Sequence, residues 1–546
     1  MAAWRARAVS EVSYVLRGGL IVDGSGTEPF RGDVAISGDR IVAVAPIVQE
    51  RGDVELDVRD LAVAPGFINM LSWAIAPLFH DGRSMSDIKQ GVTLEIFGEG
   101  WSMGPYTESM RREVMERQGD LRYDVDWTTL GHGLERLERH GVSCNVASFV
   151  GAATLRIHEL GYDDRRATPE ELGRMRALVR QSMREGALGV GSSLIYTPAT
   201  FADTDELASL ASAAGEFGGM YISHLRNEGD RLVEAVDELI EIARRARCAA
   251  EIYHLKQAGR ANWRKLDDVI EHVEAARAEG LAITADMYPY TAGATGLDAA
   301  MPPWSQEGGH SKWVARLRDP SVRQRVVAEM REPATTWDNL YHSAGSAENV
   351  LLLQFKNPAL KPLTGKTLAA VAATRRKTPE ETAIDLVIED DSRVGCAYFL
   401  MAESNVHRQI GLHWMSFGSD AGSMAPEGPF LLSNPHPRAY GTFARVLGHY
   451  ARDGSAASLQ DAVRRMTSLP AQNLKLEDRG LLQPGCFADV VAFDPVRIRD
   501  HATYDEPHRF ATGVEHVFVN GVHVLRDAEH TGATPGRVVR GPGFRE

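Results

Sequence analysis

His224 closes the apolar run GGMYISH, His254 closes AAEIYH, and one helical pattern separates them. If the two runs are neighbouring parallel strands, both imidazoles enter one mouth, and neutral imidazole is the commonest metal ligand. A lone strand-end histidine is more often structural; the pairing is what favours chemistry. Asp420 follows the strand-like HWMSFGS, a third strand-end position. It can cap the next helix, or act as a general base that takes a proton from water and returns it to a leaving nitrogen. Glu99 sits between Gly98 and Gly100, in a turn whose glycines can bring a side chain close to a ligand, although an isolated loop carboxylate is more often solvated. Two imidazoles and a carboxylate would make a three-ligand site with one open position, the arrangement of a catalytic zinc. Tyr196, Tyr288 and Tyr290 read either as packed phenols with a hydroxyl partner or as substrate-binding donors, and Arg226, Lys256 and Arg438 are cations suited to clamping a carboxylate.

Such residues need a frame that brings strand ends together. The apolar runs GGMYISHL, CAAEIYHLK and GLAITADMYPY alternate with the helical patterns PEELGRMRALVRQSMREG and RLVEAVDELIEIARRA, which predicts βα units around a parallel sheet. In a (β/α)₈ barrel the functional groups project from the C-terminal ends of the strands. Both chain ends have another texture. Tyr14 to Val63 alternates apolar and polar residues between turn signals, and FADVVAFDP and VEHVFVNGVHVL are β-branched and aromatic runs bounded by Gly, Pro and Asp. The expectation is an α/β chain: a small β-sandwich from residues 1–63 and 479–546, and a barrel over 64–478 with an insertion near 300–350.

With 546 residues, 44% hydrophobic and 25% charged, the chain can bury a large core. A formal charge of −14 and the lack of any Lys/Arg run argue against nucleic acid as a partner. No stretch has the roughly 18 apolar residues of a membrane span, and no signal-peptide-like run follows the arginines of Met1 to Arg17, so a cytoplasmic protein is expected. Cys144, Cys248, Cys396 and Cys486 are far apart and form no CxxC pair, which indicates neither a disulfide framework nor a cysteine-based zinc cluster. A small-molecule substrate is the expected partner, and self-association into a homo-oligomer is left open.

The strings APGFI, QGVT, GALGVGSSLIY, SHLRNEGD, HLKQAG, ADMYPYTAG, GSDAGS, HPRAYGTF, MTSLPAQNLKLEDRGLL, GCFADVVAFDP and VFVNG occur in this order, from about Leu16 to Gly541. Together they resemble the N-acyl-D-amino-acid deacylase branch of the amidohydrolase superfamily. The resemblance implies a metal-bearing barrel joined to a β-sandwich and hydrolysis of the amide between an acyl group and an amino acid. It implies that His224 and His254 are metal ligands, that Asp420 is the catalytic aspartate, and that Glu99 takes the third-ligand position that the family fills with a cysteine or a carboxylate. Tyr196 and Tyr288 or Tyr290 fall where the family holds the substrate carboxylate or polarises its carbonyl, with Arg226 and Lys256 beside them. One departure stands out. After APGFI the family carries an aspartate and a His-x-His pair, whereas this chain reads Asn69-Met70-Leu71-Ser72-Trp73. Leu71 and Trp73 cannot ligate a metal, and His80, the nearest histidine, lies outside the strand. The expectation is therefore one divalent metal ion, zinc first, on Glu99, His224 and His254, with Leu71 and Trp73 lining the substrate pocket.

Three readings are compatible with this pattern: a mononuclear metallohydrolase of an N-acyl amino acid or related amide, a diverged enzyme of the same fold performing a lyase or cyclisation reaction on a bulky or aromatic substrate, and a binding protein that has lost turnover. The hydrolase is the leading reading, and retention of all four polar site residues makes the binding protein the least expected.

Overall fold

The computed structural model describes residues 12–545 apart from Thr335. Residues 1–11, on which the reading of the leader and the first domain boundary partly rest, lie outside the described residues, as do Thr335, within the expected insertion, and Glu546.

The chain opens with β1 (Tyr14–Ile21), β2 (Phe30–Ser37), β3 (Arg40–Ala45), β4 (Val54–Asp57) and β5 (Ala62–Pro65). A register shift between Leu16 and Gly19 divides β1, so that its first half pairs with β4 and its second half with β5.

The ring that carries the site follows: β6 (Phe67–Asn69), β7 (Val92–Phe97), β8 (Asn145–Ser148), β9 (Val150–Gly151), β10 (Gly189–Ser193), β11 (Met220–His224), β12 (Ala250–Ile252) and β13 (Ile283–Met287). All of their pairings are parallel. Only Phe149 separates β8 from β9, and its N–H donates to Phe97 at 2.9 Å, so the two act as one strand. Helices return the chain between strands for the reasons the sequence suggests. Pro169–Arg184, for example, begins with a capping box in which Thr168 and Glu171 satisfy each other's backbone N–H groups, and Leu232–Ala246 buries Val236, Leu239, Ile240 and Ala243 along one face.

The ring is then interrupted. β14 (Ala292–Gly296), β15 (Val350–Gln354) and β16 (Gly395–Phe399) form an antiparallel sheet in the order β14-β16-β15. With four helices of eight or more residues between them, they bury their own core, including Leu297, Trp313, Leu317, Leu352, Leu386 and Tyr398. The insertion expected near 300–350 thus begins at 292 and ends at 399. Its first strand, AGATG, has the composition of a turn and becomes a strand only because β16 pairs along its whole length. β17 (Met415–Phe417) resumes the ring beside β13, and Met70 N–H donates to Phe417 at 3.2 Å, which closes eight parallel strands on themselves.

The chain ends with β18 (Val490–Phe493), β19 (Val514–Val519), β20 (Val522–Arg526) and β21 (Glu529–His530). β18 pairs with β5, so both chain ends build one nine-stranded sheet rather than two separate layers. It curls until Ile41 N–H of β3 donates to Cys486 at 2.9 Å, enclosing Leu16, Val34, Ile36, Val63, Val490 and Phe518. Residues 531–545 leave this sheet. Val539 N–H donates to Val146 at 2.8 Å and Gly541 N–H to Gly186 at 2.8 Å, so the tail expected in the terminal β unit packs on the ring. Among the described residues no helix is long and apolar enough to cross a membrane.

Candidate active site

His224 is the last residue of β11, and His254 lies two residues past β12. Adjacent pairing of the two strands brings His224 Nδ1 within 3.0 Å of His254 Nε2. Glu99 Oε1 lies 3.1 Å from each of these nitrogens. The turn that delivers it needs its glycines: Gly100 has φ +72°, and a Cβ there would meet Ser193 Oγ at 2.0 Å. Among the described residues, Glu99, His224 and His254 form the group of ligand atoms close enough to hold one metal ion, and all three are buried.

A residue not singled out in the sequence supports them. Glu228, buried and four residues after His224, turns Oε1 toward His254 Nδ1 at 3.2 Å and Oε2 toward His224 Nε2 at 3.6 Å. Its Oε1 also accepts from Lys256 Nζ at 2.6 Å. A carboxylate behind a ligating imidazole fixes the tautomer and leaves the opposite nitrogen free to bind a cation. Among the described residues His224 Nε2 has no hydrogen-bond partner.

The electrostatics point the same way. Burial would raise Glu99, yet its hydrogen bonds to His224 and His254 hold it at about 2. Glu228 is likewise lowered against burial by the charges of His224, Lys256 and His254. Burial and the Lys256 ammonium lower His254, but Glu228 and Glu99 outweigh both and raise it to about 10. Two buried carboxylates around two imidazoles thus retain a positive charge at the centre, and the oxygen and nitrogen donors suit a divalent metal.

Asp420 follows β17 in the left-handed region, φ +49°, with its N–H donating to Leu71 at 2.8 Å. His254 is also left-handed, φ +35°, and its N–H donates to Asp286 Oδ1 at 2.9 Å. Non-glycine residues adopt this conformation rarely and often where side-chain direction matters. Trp73 Nε1 donates to Asp420 Oδ1 at 3.0 Å, and Arg438 Nη1 lies 2.9 Å from Oδ2. Burial raises the Asp420 carboxyl, with Arg438 and His254 opposing.

These groups share a cavity of about 220 Å³ with Trp101, Tyr196, Lys256, Tyr288 and Arg393. Tyr196 donates to Thr295 Oγ1 at 2.8 Å, and burial keeps the phenols of Tyr196 and Tyr288 protonated. The Arg438 guanidinium lies 4.4 Å from the Tyr288 ring centre. Arg393, also unremarked in the sequence, is bound by Asp298 at 2.8 Å and Thr295 at 2.9 Å, and reaches the cavity from the insertion.

Three expectations are corrected. Leu71 does not line the cavity: it is fully buried with Ile68, Leu94 and Ile96, because its side chain points into the ring interior. Tyr290 packs on His436 and Arg445, its hydroxyl directed to Pro437, outside the cavity. Arg226 is held by Glu238 at 2.8 Å and by the carbonyls of Thr200 and Ala202, away from the cavity. His80, which the sequence places outside the first strand, is exposed beside Phe430 and touches none of the candidate ligands.

The chain is similar to several known proteins. Residues 413–525 match the Amidohydrolase family. The D-aminoacylase of Alcaligenes xylosoxydans xylosoxydans is 32% identical over 529 residues, covering 96% of this chain and 97% of its own. A solved D-aminoacylase structure, described through its binuclear metal centre with one-metal activation and second-metal attenuation, superposes with TM-score 0.80 at 30% identity, covering 96% of this chain and 99% of its own. The N-acyl-D-glutamate deacylase of Bordetella bronchiseptica, complexed with zinc and a phosphonate mimic of the tetrahedral intermediate, gives TM-score 0.80 at 28% identity over 97% of this chain and 100% of its own. Neighbours of this fold imply a TIM-barrel-like catalytic domain, and none of these relatives supports the lyase or binding-protein alternatives. The chain belongs to the D-aminoacylase and N-acyl-D-amino-acid deacylase branch of the amidohydrolases.

Proposed function

We propose that the protein is a mononuclear metallohydrolase that removes the acyl group from an N-acyl-D-amino acid. The observation that carries this reading is the meeting of Glu99 Oε1, His224 Nδ1 and His254 Nε2 within about 3.1 Å of one another, in a cavity that also receives Asp420. Glu99, His224 and His254 would hold one divalent ion, zinc first among candidates, which when bound would supply Lewis acidity toward the amide carbonyl and make water a better nucleophile at neutral pH. Asp420 takes the proton of the attacking water and passes it to the departing nitrogen. Tyr288, a protonated phenol on the cavity wall, donates to the carbonyl oxygen as negative charge develops there. Arg438, Lys256 and Arg393, each also paired with a carboxylate, bring cationic donors to the wall for a substrate carboxylate, and Tyr196 with Trp101 offers an apolar surface for the rest.

Metal analysis of the purified protein and a screen of N-acyl D- and L-amino acids test the reading together. About one equivalent of metal, turnover of D substrates and loss of turnover in His254→Ala are expected. Full activity in metal-free protein would overturn it.

A further inference from the structure

Trp73 stands where the family pattern carries the second histidine of its first-strand pair, and it does more than fill space. Its indole Nε1 donates to one oxygen of Asp420 at 3.0 Å, while Arg438 faces the other at 2.9 Å. The backbones of the two segments are tied in register: Trp73 N–H donates to Ala421 at 2.9 Å, and Asp420 N–H donates to Leu71 at 2.8 Å. The contact is therefore set by two strand ends and is not a chance meeting of surface groups. Trp73 is 40% exposed and borders three neighbouring cavities, yet its polar edge is turned inward onto the carboxylate.

An indole N–H can only donate. It binds no cation and accepts no proton, so it cannot compete with Asp420 for the proton of water. Leu71, two residues earlier, is fully buried and brings no ligand atom to the same place. We propose that Trp73 is a positioning residue for Asp420, its N–H fixing the orientation of the carboxylate. Asp420 has a left-handed backbone; its one directional side-chain contact on this side is the Trp73 N–H, while the Arg438 guanidinium faces the other oxygen as an ion pair. Each oxygen keeps one lone pair for the water proton. This inference rests on the deacylase reading above.

Trp73→Phe retains the ring and deletes the N–H. In the zinc-loaded protein, with an N-acyl amino acid that the wild type hydrolyses, kcat should fall at least tenfold while KM stays within threefold. Unchanged kcat, or a rise in KM with kcat kept, would overturn the proposal and leave Trp73 as pocket wall. A second measurement needs no substrate. In ¹⁵N-tryptophan-labelled protein, the indole signal that disappears in Trp73→Phe should exchange slowly with solvent and lose that protection in Asp420→Ala. Free exchange in the wild type, or protection that survives Asp420→Ala, refutes the contact. If the wild type hydrolyses no N-acyl amino acid, the deacylase reading fails while the indole signal still decides the role of Trp73.

Discussion

At Glu228 one carboxylate faces the outer nitrogens of both imidazoles and also binds Lys256, so a single charge bears on both ligands. Outer partners of this kind commonly contribute 10–100-fold to metal affinity. Glu228→Gln keeps the shape and one acceptor but removes the charge. Its zinc affinity should fall by about 10–100-fold, read by competition with a chelator of known affinity; affinity equal to that of the wild type would mean that His224 and His254 are oriented by packing alone. The four residues proposed for the centre stand out in the sequence because each ends an apolar strand or sits in a glycine turn, and because the two histidines come as a pair. Glu228 is not. It lies in the polar stretch RNEGD, which reads as a solvated loop, and its burial is created by Lys256 from the next strand and Asp338 from the insertion, whose carboxylate accepts the Glu228 N–H at 2.8 Å. Leu71 departs from the pattern for a related reason: a two-residue period puts Leu71 and Trp73 on one face of a strand, but β6 ends at Asn69, and the extended residues beyond it follow the closure of the ring.

At the scale of elements, the site depends on turns that tolerate no extra atom and on the insertion that seals it. Gly100→Ala adds a Cβ 2.0 Å from Ser193 Oγ at φ +72°, which combines a clash with about 1–2 kcal/mol of left-handed strain. The Glu99 carboxylate should shift with the turn, lowering both bound metal and denaturation temperature; a variant with the metal content and melting profile of the wild type would show that the turn yields without moving Glu99. Asp338 offers a second test. Burial pushes its carboxyl up to about 7, against the lowering by its bond from Glu228 N–H. Its unfolded value is near 4, so between about pH 4 and 7 the folded chain holds a proton that the unfolded chain has lost. Stability from this group therefore falls as pH rises across that window and is level above it. Asp338→Asn should gain on the wild type by a few kcal/mol between about pH 4 and 7; parallel stability curves for the two proteins would mean that Asp338 stays ionised in the fold. The insertion itself is only half visible in the sequence, because strands such as AGATG owe their conformation to a partner more than a hundred residues away.

At the scale of the whole molecule, the β-rich ends are expected from their composition to meet, and they do: β5 and β18 pair across more than 400 residues of intervening chain. What composition does not reveal is where the last residues go, since TGATPGRVVRGPGF lacks the alternation of a strand or the period of a helix. The structure turns this segment into a strap across the ring. Gly536 N–H donates to Val142 at 2.7 Å, Val146 N–H to Arg537 at 3.0 Å, Val539 N–H to Val146 at 2.8 Å and Gly541 N–H to Gly186 at 2.8 Å. Glycine is required for so close an approach at 536, where a Cβ would lie 2.0 Å from the Cys144 carbonyl oxygen. The strap also contributes apolar packing, because Val539 joins the core that holds Ile68, Leu71, Leu94 and Ile96 inside the ring. Removing residues 531–546 deletes these four bonds, at about 1 kcal/mol each, together with that packing. The shortened chain should still form its terminal sheet but denature roughly 3–5 °C lower, with metal lost at a lower temperature than in the full chain. Differential scanning calorimetry of the zinc-loaded pair reads both effects. An unchanged profile would mean that the ring closes without its strap, and that the tail is held by the barrel rather than holding it.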